Sequence, residues 1–513
     1  MNSISKKKLL LVNPANEARQ GFINDSSTKF MPIGLGIVAA LTPDNWEVEL
    51  IDESFEKFNF IDADLVGITA FTSNAYRAYQ ISEVYRQKGI ITIMGGIHAS
   101  MHTAEAVNYF DVVVTHDAEG AWPQVINDFE TGNLKKVYDG GYVNTEDISH
   151  VRRDIYHKYP YVYDLVQTSR GCPMGCEFCS VTHMCGKQYR ERDIEDVLKE
   201  LEETERKLLF FVDDNLVNNK KGADERAIAL FKGMVERKMN KHWLSQVAVN
   251  FADNEEVLYW ASKAGCRLVL MGIEAEKADA LKDMRKNLNL KRGTENYESI
   301  FDRIHKHGIG ILGTMIFGMD SDTREDLLAR RDFILNSGID CYQSTIITPL
   351  PGTPLFSKMK SQKDRILLNN YPSDWQHYHC MKAVISTPVM GQEELEEVMR
   401  EIWLSLYNKE AIRRKLFSTL IRTRNFETAY WTYSSNHNYG RMALEEIIEK
   451  DPAGVNKSME WKTKKRSLYL RITDKVLLLV YLLKWSKLAK KYAPDHGKYD
   501  KKLYRANVKV EIS

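Results

Sequence analysis

Two series of short apolar runs, separated by amphipathic stretches, set the strongest limit on what this chain of 513 residues can fold into. Strands that alternate with helices reach their neighbours by crossover, so they pair in parallel and bury both faces of the sheet. The first series predicts strands at 9–12, 48–51, 65–69, 91–94 and 112–115. They make a doubly wound, Rossmann-like sheet within residues 1–137. The second series, on a longer repeat, predicts strands at 166–169, 208–212, 244–249, 268–273, 310–317 and 343–347. Six such strands within 164–356 suit a partial (β/α)6 barrel of the TIM type, with its chemistry at the carboxyl-terminal mouth. Residues 138–163 have no regular period and read as a linker. Residues 357–456, with an amphipathic stretch at 390–416, read as a mostly α-helical region. The fold class is therefore α/β, followed by helices.

In open parallel sheets, ligands bind beyond the carboxyl ends of the strands. The loops there in the first unit are Asn13-Pro14, Asp52-Glu53-Ser54, Phe71-Thr72-Ser73, Gly95-Gly96-Ile97-His98-Ala99 and His116-Asp117-Ala118-Glu119-Gly120. They are expected to line one crevice, although a Gly-Gly pair can also be no more than a tight turn.

Three of the seven cysteines, Cys172, Cys176 and Cys179, fall in a C-x3-C-x2-C spacing after the first strand of the second series. Gly171 and Gly175 let the backbone fold back, so that three thiolates can converge on one metal centre. A structural zinc would take a fourth protein ligand, which His183 or Cys185 could supply. A four-iron cluster held by three cysteines would instead keep one iron open to a small molecule. The spacing by itself leaves both readings standing. Cys266 and Cys341 lie in apolar surroundings and read as small core residues, whereas Cys185 could be a thiol on the substrate side. An odd, clustered set of cysteines is no disulfide framework and implies a reducing, cytoplasmic setting.

With Phe178 before the last cysteine and the strand-like lead-in at 164–169, the triad resembles the radical S-adenosylmethionine (SAM) superfamily. The resemblance implies that Cys172, Cys176 and Cys179 bind a [4Fe-4S] cluster whose open iron holds SAM. It also implies SAM or substrate contacts at Asp213 and Asp214 after the second strand, Glu274 after the fourth and Gly318 after the fifth. Tyr189-Arg190-Glu191-Arg192 adds basic groups that could meet a carboxylate. The first unit is similar to the cobalamin-binding domain that precedes many radical SAM barrels, on Met31-Pro32-Ile33-Gly34-Leu35-Gly36, Trp46-Glu47-Val48-Glu49-Leu50-Ile51-Asp52 and Gly95-Gly96-Ile97-His98-Ala99. That likeness implies cobalamin contacts at Pro32, Gly34, Thr72, Ser73, Gly95, Gly96, His98, Glu119 and Gly120. The D-x-H-x-x-G signature is absent, since Glu53 and Ser54 follow Asp52, so the cobalt is expected to lack a protein histidine on that face. His98 is then expected to hydrogen-bond or pack.

The activity implied is a cobalamin-dependent radical SAM C-methyltransferase, similar to hopanoid and tetrapyrrole methylases. It would methylate an unactivated carbon of a hydrophobic substrate (lipid, isoprenoid or tetrapyrrole-like), with a flavodoxin or ferredoxin as electron donor. Oxidative cyclisation or rearrangement on the same cofactors is the alternative, and a non-catalytic zinc-binding scaffold is a remote one. A methylthiotransferase is disfavoured because no cysteine precedes Cys172. Trp375, His377, Tyr378 and His379 form an aromatic loop, more suited to packing than to binding a metal, and the resemblance implies that the region 357–456 helps cover the substrate.

Charge is uneven. The chain carries a net +1, yet 457–513 holds sixteen Lys and Arg against five Asp and Glu. There, basic residues flank the aliphatic run 476–483 and Trp485, so 462–491 suits either an interfacial helix, peripheral to the inner face of a membrane, or a helix packed on the protein. The aliphatic block does not suit nucleic acid, and none is expected. The run is far shorter than the roughly 20 residues of a membrane span. Likewise, the basic start followed by Leu9-Leu10-Leu11-Val12 is too short for a signal peptide and reads as a first strand.

Overall fold

A computed structural model describes residues 6–16 and 29–450. The tail 457–513, with its proposed interfacial helix, lies outside the described residues.

The first sheet comprises β1 (Lys7–Asn13), β2 (Trp46–Asp52), β3 (Leu65–Thr69), β4 (Ile91–Gly95), β5 (Val112–Thr115) and β6 (Val137–Asp139). All pairings are parallel, in the order β2-β1-β3-β4-β5-β6. Leu9, Leu10, Leu11 and Val12 are consecutive and fully buried, as a strand covered on both faces requires.

The second unit begins with β7 (Tyr163–Val166), β8 (Ser169–Arg170), β9 (Arg190–Glu191) and β10 (Leu208–Phe211). It continues with β11 (His242–Val247), β12 (Cys266–Glu274), β13 (Gly310–Phe317) and β14 (Cys341–Ile346). Its main sheet runs β14-β13-β12-β11-β10-β7, parallel and in chain order, with an amphipathic helix after most strands. β8 and β9 form a separate antiparallel hairpin around the cysteine loop. The outward face of the sheet buries Phe211, Trp243, Val269, Met271, Met315 and Tyr342 against those helices. Its inward face shares a cluster with the first unit, joining Leu244, Leu268 and Leu312 to Leu9, Leu35 and Tyr161. The two units thus pack as one body.

Four expectations need correction. The segment 138–163 is no loose linker: it contains part of β6, and Tyr156, Tyr159 and Tyr161 are buried. The Tyr156 hydroxyl donates to Pro32 O at 2.7 Å, Tyr159 bridges Leu50 O and Asp52 N, and Tyr161 donates to the Asp52 carboxylate. Three phenols that satisfy their own hydroxyls at core depth need no hydrophobic period. The first barrel strand also starts earlier than expected, because Asp164 lies inside it, fully buried and paired with Arg206 at 2.9 Å.

The stretch 390–416 is two helices, Gln392–Leu406 and Lys409–Thr423, broken at Asn408, whose side chain caps the second through Ala411 N. A further helix runs Phe426–Lys450. Thr419 donates to Asp340, Asn436 to Asp340 O and Trp431 to Tyr163. These partners stand at the amino ends of β14 and β7, so the helices beyond residue 408 close the end of the barrel opposite the cysteine loop. They do not cover its mouth.

Candidate active site

The cysteine loop leaves the barrel after β7. Asp213, following β10, is fully buried and accepts hydrogen bonds from Thr168 N, Thr168 Oγ1 and Ser169 Oγ at 2.6–3.0 Å, which fixes the chain just before the loop. Gly171 then turns at φ +93°, where an added Cβ would lie 2.1 Å from Gln188 O, so only glycine fits between the strands of the hairpin. Cys172 N donates to Gly186 O and the Thr182 hydroxyl to Cys172 O. Past the turn, Glu177 N donates to Met284 O and Leu355 N to Glu177 O, so the loop is tied to segments that follow the fourth and sixth main strands.

All three thiols are free. Burial raises the proton affinity of each, and Cys179 is pushed up to about 12, with Cys176, Asp214 and Cys172 adding to it. Tyr189 lies near Cys172, and its hydroxyl accepts from Asn215 Nδ2 at 3.3 Å. Beneath Cys176, Lys286 pairs with Glu274 at 2.7 Å. Burial works against the Lys286 charge, but Glu274 and the thiols outweigh it and hold its ammonium above the ordinary range. Glu274 adopts φ +64° and also accepts from Thr314 Oγ1 at 3.1 Å. Burial and the adjacent Asp213 push the Asp214 carboxyl up to about 7, against a hydrogen bond from the Gly171 N–H.

In the first unit, Thr72 Oγ1 and the Tyr79 hydroxyl contact the two ring nitrogens of the fully buried His98, at 3.3 and 3.0 Å. Tyr79 and Trp375 Nε1 both donate to Glu105 at 2.8 Å. His98 is thereby linked to the aromatic loop, where Trp375 stacks on Tyr371. Pro32 caps the helix Ile33–Leu41 and Ser73 contacts Asn74. At Gly34 and Gly95 an added Cβ would meet open space, while Gly96 sits against Thr69 and Ala70. Phe71, 67% exposed, projects from the loop after β3.

Several expected contacts are engaged elsewhere. Glu119 forms a buried ion pair with Arg170, and Gly120 packs on Gly140, where a Cβ would lie 2.1 Å from its carbonyl. Asp213 anchors Thr168 and Ser169 through both carboxylate oxygens. Gly318 makes a turn at φ +85° under Leu395. Sequence reading also passed over Lys286, Arg170 and the Glu105 network. Arg170, adjoining the cysteine loop, was the one of these with a local signal.

Three free thiols from one loop are a donor set suited to an iron–sulfur cluster with one open iron. Among the described residues, no group of three or more His, Cys, Asp or Glu side chains is arranged to hold a single metal ion, whereas in a four-iron cluster each cysteine binds a different iron. The open space at Gly34 and Gly95, on the loop side of the first sheet, leaves room for a ligand there. Two facing parallel α/β units, one ending in ligand loops and the other carrying a three-cysteine loop at its mouth, define a two-cofactor enzyme class.

Comparison with known proteins agrees. The profile of the Radical SAM superfamily matches residues 166–334, and that of the B12 binding domain matches 20–126. Bacteriochlorophyllide d C-12(1)-methyltransferase of Chlorobaculum tepidum is 31% identical over 428 residues, covering 80% of this chain and 90% of that protein. Hopanoid C-2 methylase of Rhodopseudomonas palustris is 26% identical over 364 residues, 66% of each. The structure of TsrM, a radical SAM methyltransferase from Kitasatospora setae solved with cobalamin and a [4Fe-4S] cluster, superposes with a TM-score of 0.63 at 15% identity. The match covers 88% of this chain and all of that one. The chain belongs to the cobalamin-dependent radical SAM methyltransferase family, whose cofactors are a [4Fe-4S] cluster, SAM and cobalamin.

Proposed function

We propose that this enzyme methylates an unactivated carbon of a hydrophobic small molecule of the lipid, isoprenoid or tetrapyrrole-like kind, with Cys172, Cys176 and Cys179 as the cluster ligands. The observation that carries the proposal is the three-thiol loop at the barrel mouth, packed against a second parallel sheet with open space at its glycine loops. The named relatives act on a bacteriochlorophyllide and a hopanoid, both largely apolar, which supports the substrate class.

When bound, the cofactors supply hydrogen abstraction from carbon and a methyl group for transfer. The chain's own residues do the rest. The three thiols give up their protons on ligation, because the thiolate is the ligand. Lys286 places a cation beside them, with Glu274 holding its ammonium in place. Asp213 and Asp214 fix the backbone entering the loop. Pro32, Gly34, Thr72, Ser73, Gly95, Gly96 and His98 frame the corrin side, while the Trp375 loop, held by Glu105, packs between the units and excludes water. A cavity of about 820 Å³, lined in part by Tyr142, Cys185, Tyr189 and Arg190, adjoins the hairpin that carries the cysteine loop.

Anaerobic reconstitution with iron, sulfide and cobalamin, then incubation with SAM labelled at its methyl group, tests the reading. A labelled product that disappears in Cys176→Ala is expected. A dehydrogenated product of otherwise unchanged mass would instead mean cyclisation, and a colourless zinc protein would mean a scaffold. A flavodoxin or ferredoxin suits the one-electron supply, and replacing it with a chemical reductant should leave the product unchanged. Among the described residues, no helix is long and apolar enough to cross a membrane. The basic, aliphatic segment 462–491 supports peripheral contact with an anionic inner membrane face. Unchanged liposome binding after truncation before Lys457 would refute that contact.

A further inference from the structure

Four charged side chains join the two units at the cysteine loop, and none belongs to the chemistry described above. Arg170 lies two residues before Cys172, in β8, and Arg190 lies opposite it in β9. Both reach across to the loop after β5. Arg170 grips Glu119 with both Nη atoms, at 2.8 and 3.2 Å, and its Nη1 is 3.1 Å from the Asp117 carboxylate. The other Asp117 oxygen meets Arg190 Nη1 at 2.5 Å. Arg190 also donates to Val143 O and Cys185 O, and Val143 N donates to Asp117. The four side chains are between 3 and 13% exposed. Two acids and two guanidiniums balance in charge, so removing one member leaves a buried charge without its partner. The guanidinium fork also fixes direction as well as distance.

We propose that Asp117, Glu119, Arg170 and Arg190 are positioning residues. They form a buried lock that sets the separation between the cysteine loop and the corrin side of the first unit. The inference rests on the two-cofactor reading above and goes beyond it. Carbon methylation needs the substrate to meet hydrogen abstraction and methyl donation in one geometry, and a misplacement of about 1 Å can cost about 100-fold in rate. The β8–β9 hairpin is only two residues deep on each strand, and its own ladder cannot hold that tolerance.

The test uses the full chain loaded with cluster and cobalamin, both brought to their paramagnetic states, and reads their separation by pulsed dipolar EPR. Iron, sulfide and cobalamin contents are measured on the same samples. Wild type is expected to give one narrow distance. Glu119→Gln, which keeps shape and loses charge, and Arg170→Met should broaden or shift it at unchanged cofactor content, with turnover down about 10- to 100-fold. Arg170→Lys should recover part of the narrow distribution, which a merely space-filling role would not require. A wild-type distance distribution in both Glu119→Gln and Arg170→Met would overturn the inference. So would loss of the cluster from Glu119→Gln, since the lock would then build the loop rather than space it. Failure of wild type to bind both cofactors would instead refute the two-cofactor reading.

Discussion

Replacing Lys286 by methionine probes the charge balance under the cysteine loop. Lys286 and Glu274 make a 2.7 Å ion pair with side chains 18 and 7% exposed, and the carboxylate keeps only the Thr314 hydroxyl when the lysine is gone. Breaking a buried pair from one side costs about 3–5 kcal/mol, and the partial exposure of Lys286 brings this to about 2–3 kcal/mol. At about 2–4 °C per kcal/mol for a unit of this size, the melting temperature of the cofactor-free protein should fall by about 5–10 °C. Glu274→Gln alone should cost less, because the amide still accepts from Thr314. The double variant should be at least about 1 kcal/mol more stable than the sum of the singles implies. Urea unfolding of the four proteins without iron measures this free of any cofactor. Strict additivity, or a Lys286→Met protein within about 0.5 kcal/mol of wild type, would refute the claim that the pair is buried and coupled.

Gly171→Ala should hinder cluster assembly, since it adds about 1–2 kcal/mol of left-handed strain to a 2.1 Å approach to Gln188 O. Iron and sulfide per chain after reconstitution check it, and wild-type content would refute it. Lys415 offers a pH signature remote from the cysteines: burial lowers its ammonium to about 7 from 10.5, against the pull of Asp340, while Nζ donates to Ser337 O and Ile339 O. Between those values the unfolded chain holds a proton that the folded chain lacks. Stability from this group therefore rises with pH by up to about 1.4 kcal/mol per unit, and flattens below about pH 7. Urea midpoints at about pH 7 and about pH 9 should show the rise in wild type and lose it in Lys415→Met. Asp213→Ala should strand the donors of Thr168 and Ser169 and cost about 3–5 kcal/mol by urea unfolding.

The sequence by itself determined the parts whose signal is local. Alternating apolar runs located the strands of both sheets to within a few residues, apart from the short β6, because a buried parallel strand must be apolar along its length. The C-x3-C-x2-C spacing marked the loop that carries three thiols, because Cys172, Cys176 and Cys179 fall within eight residues of one another. Where a strand contained a charge, as at Asp164, or a helix broke at a polar cap, as at Asn408, the local pattern misplaced the boundary. The tertiary structure decided what each polar group touches. Glu119 and Asp213 have the residue types and loop positions of ligand contacts, yet one holds Arg170 and the other holds Thr168 and Ser169. Lys286 and Glu105 gain their partners from segments 12 to 270 positions away. A buried charge is satisfied by whatever the packing of two units brings within about 3 Å, and that distance is set by how the sheets face each other rather than by neighbours in the chain.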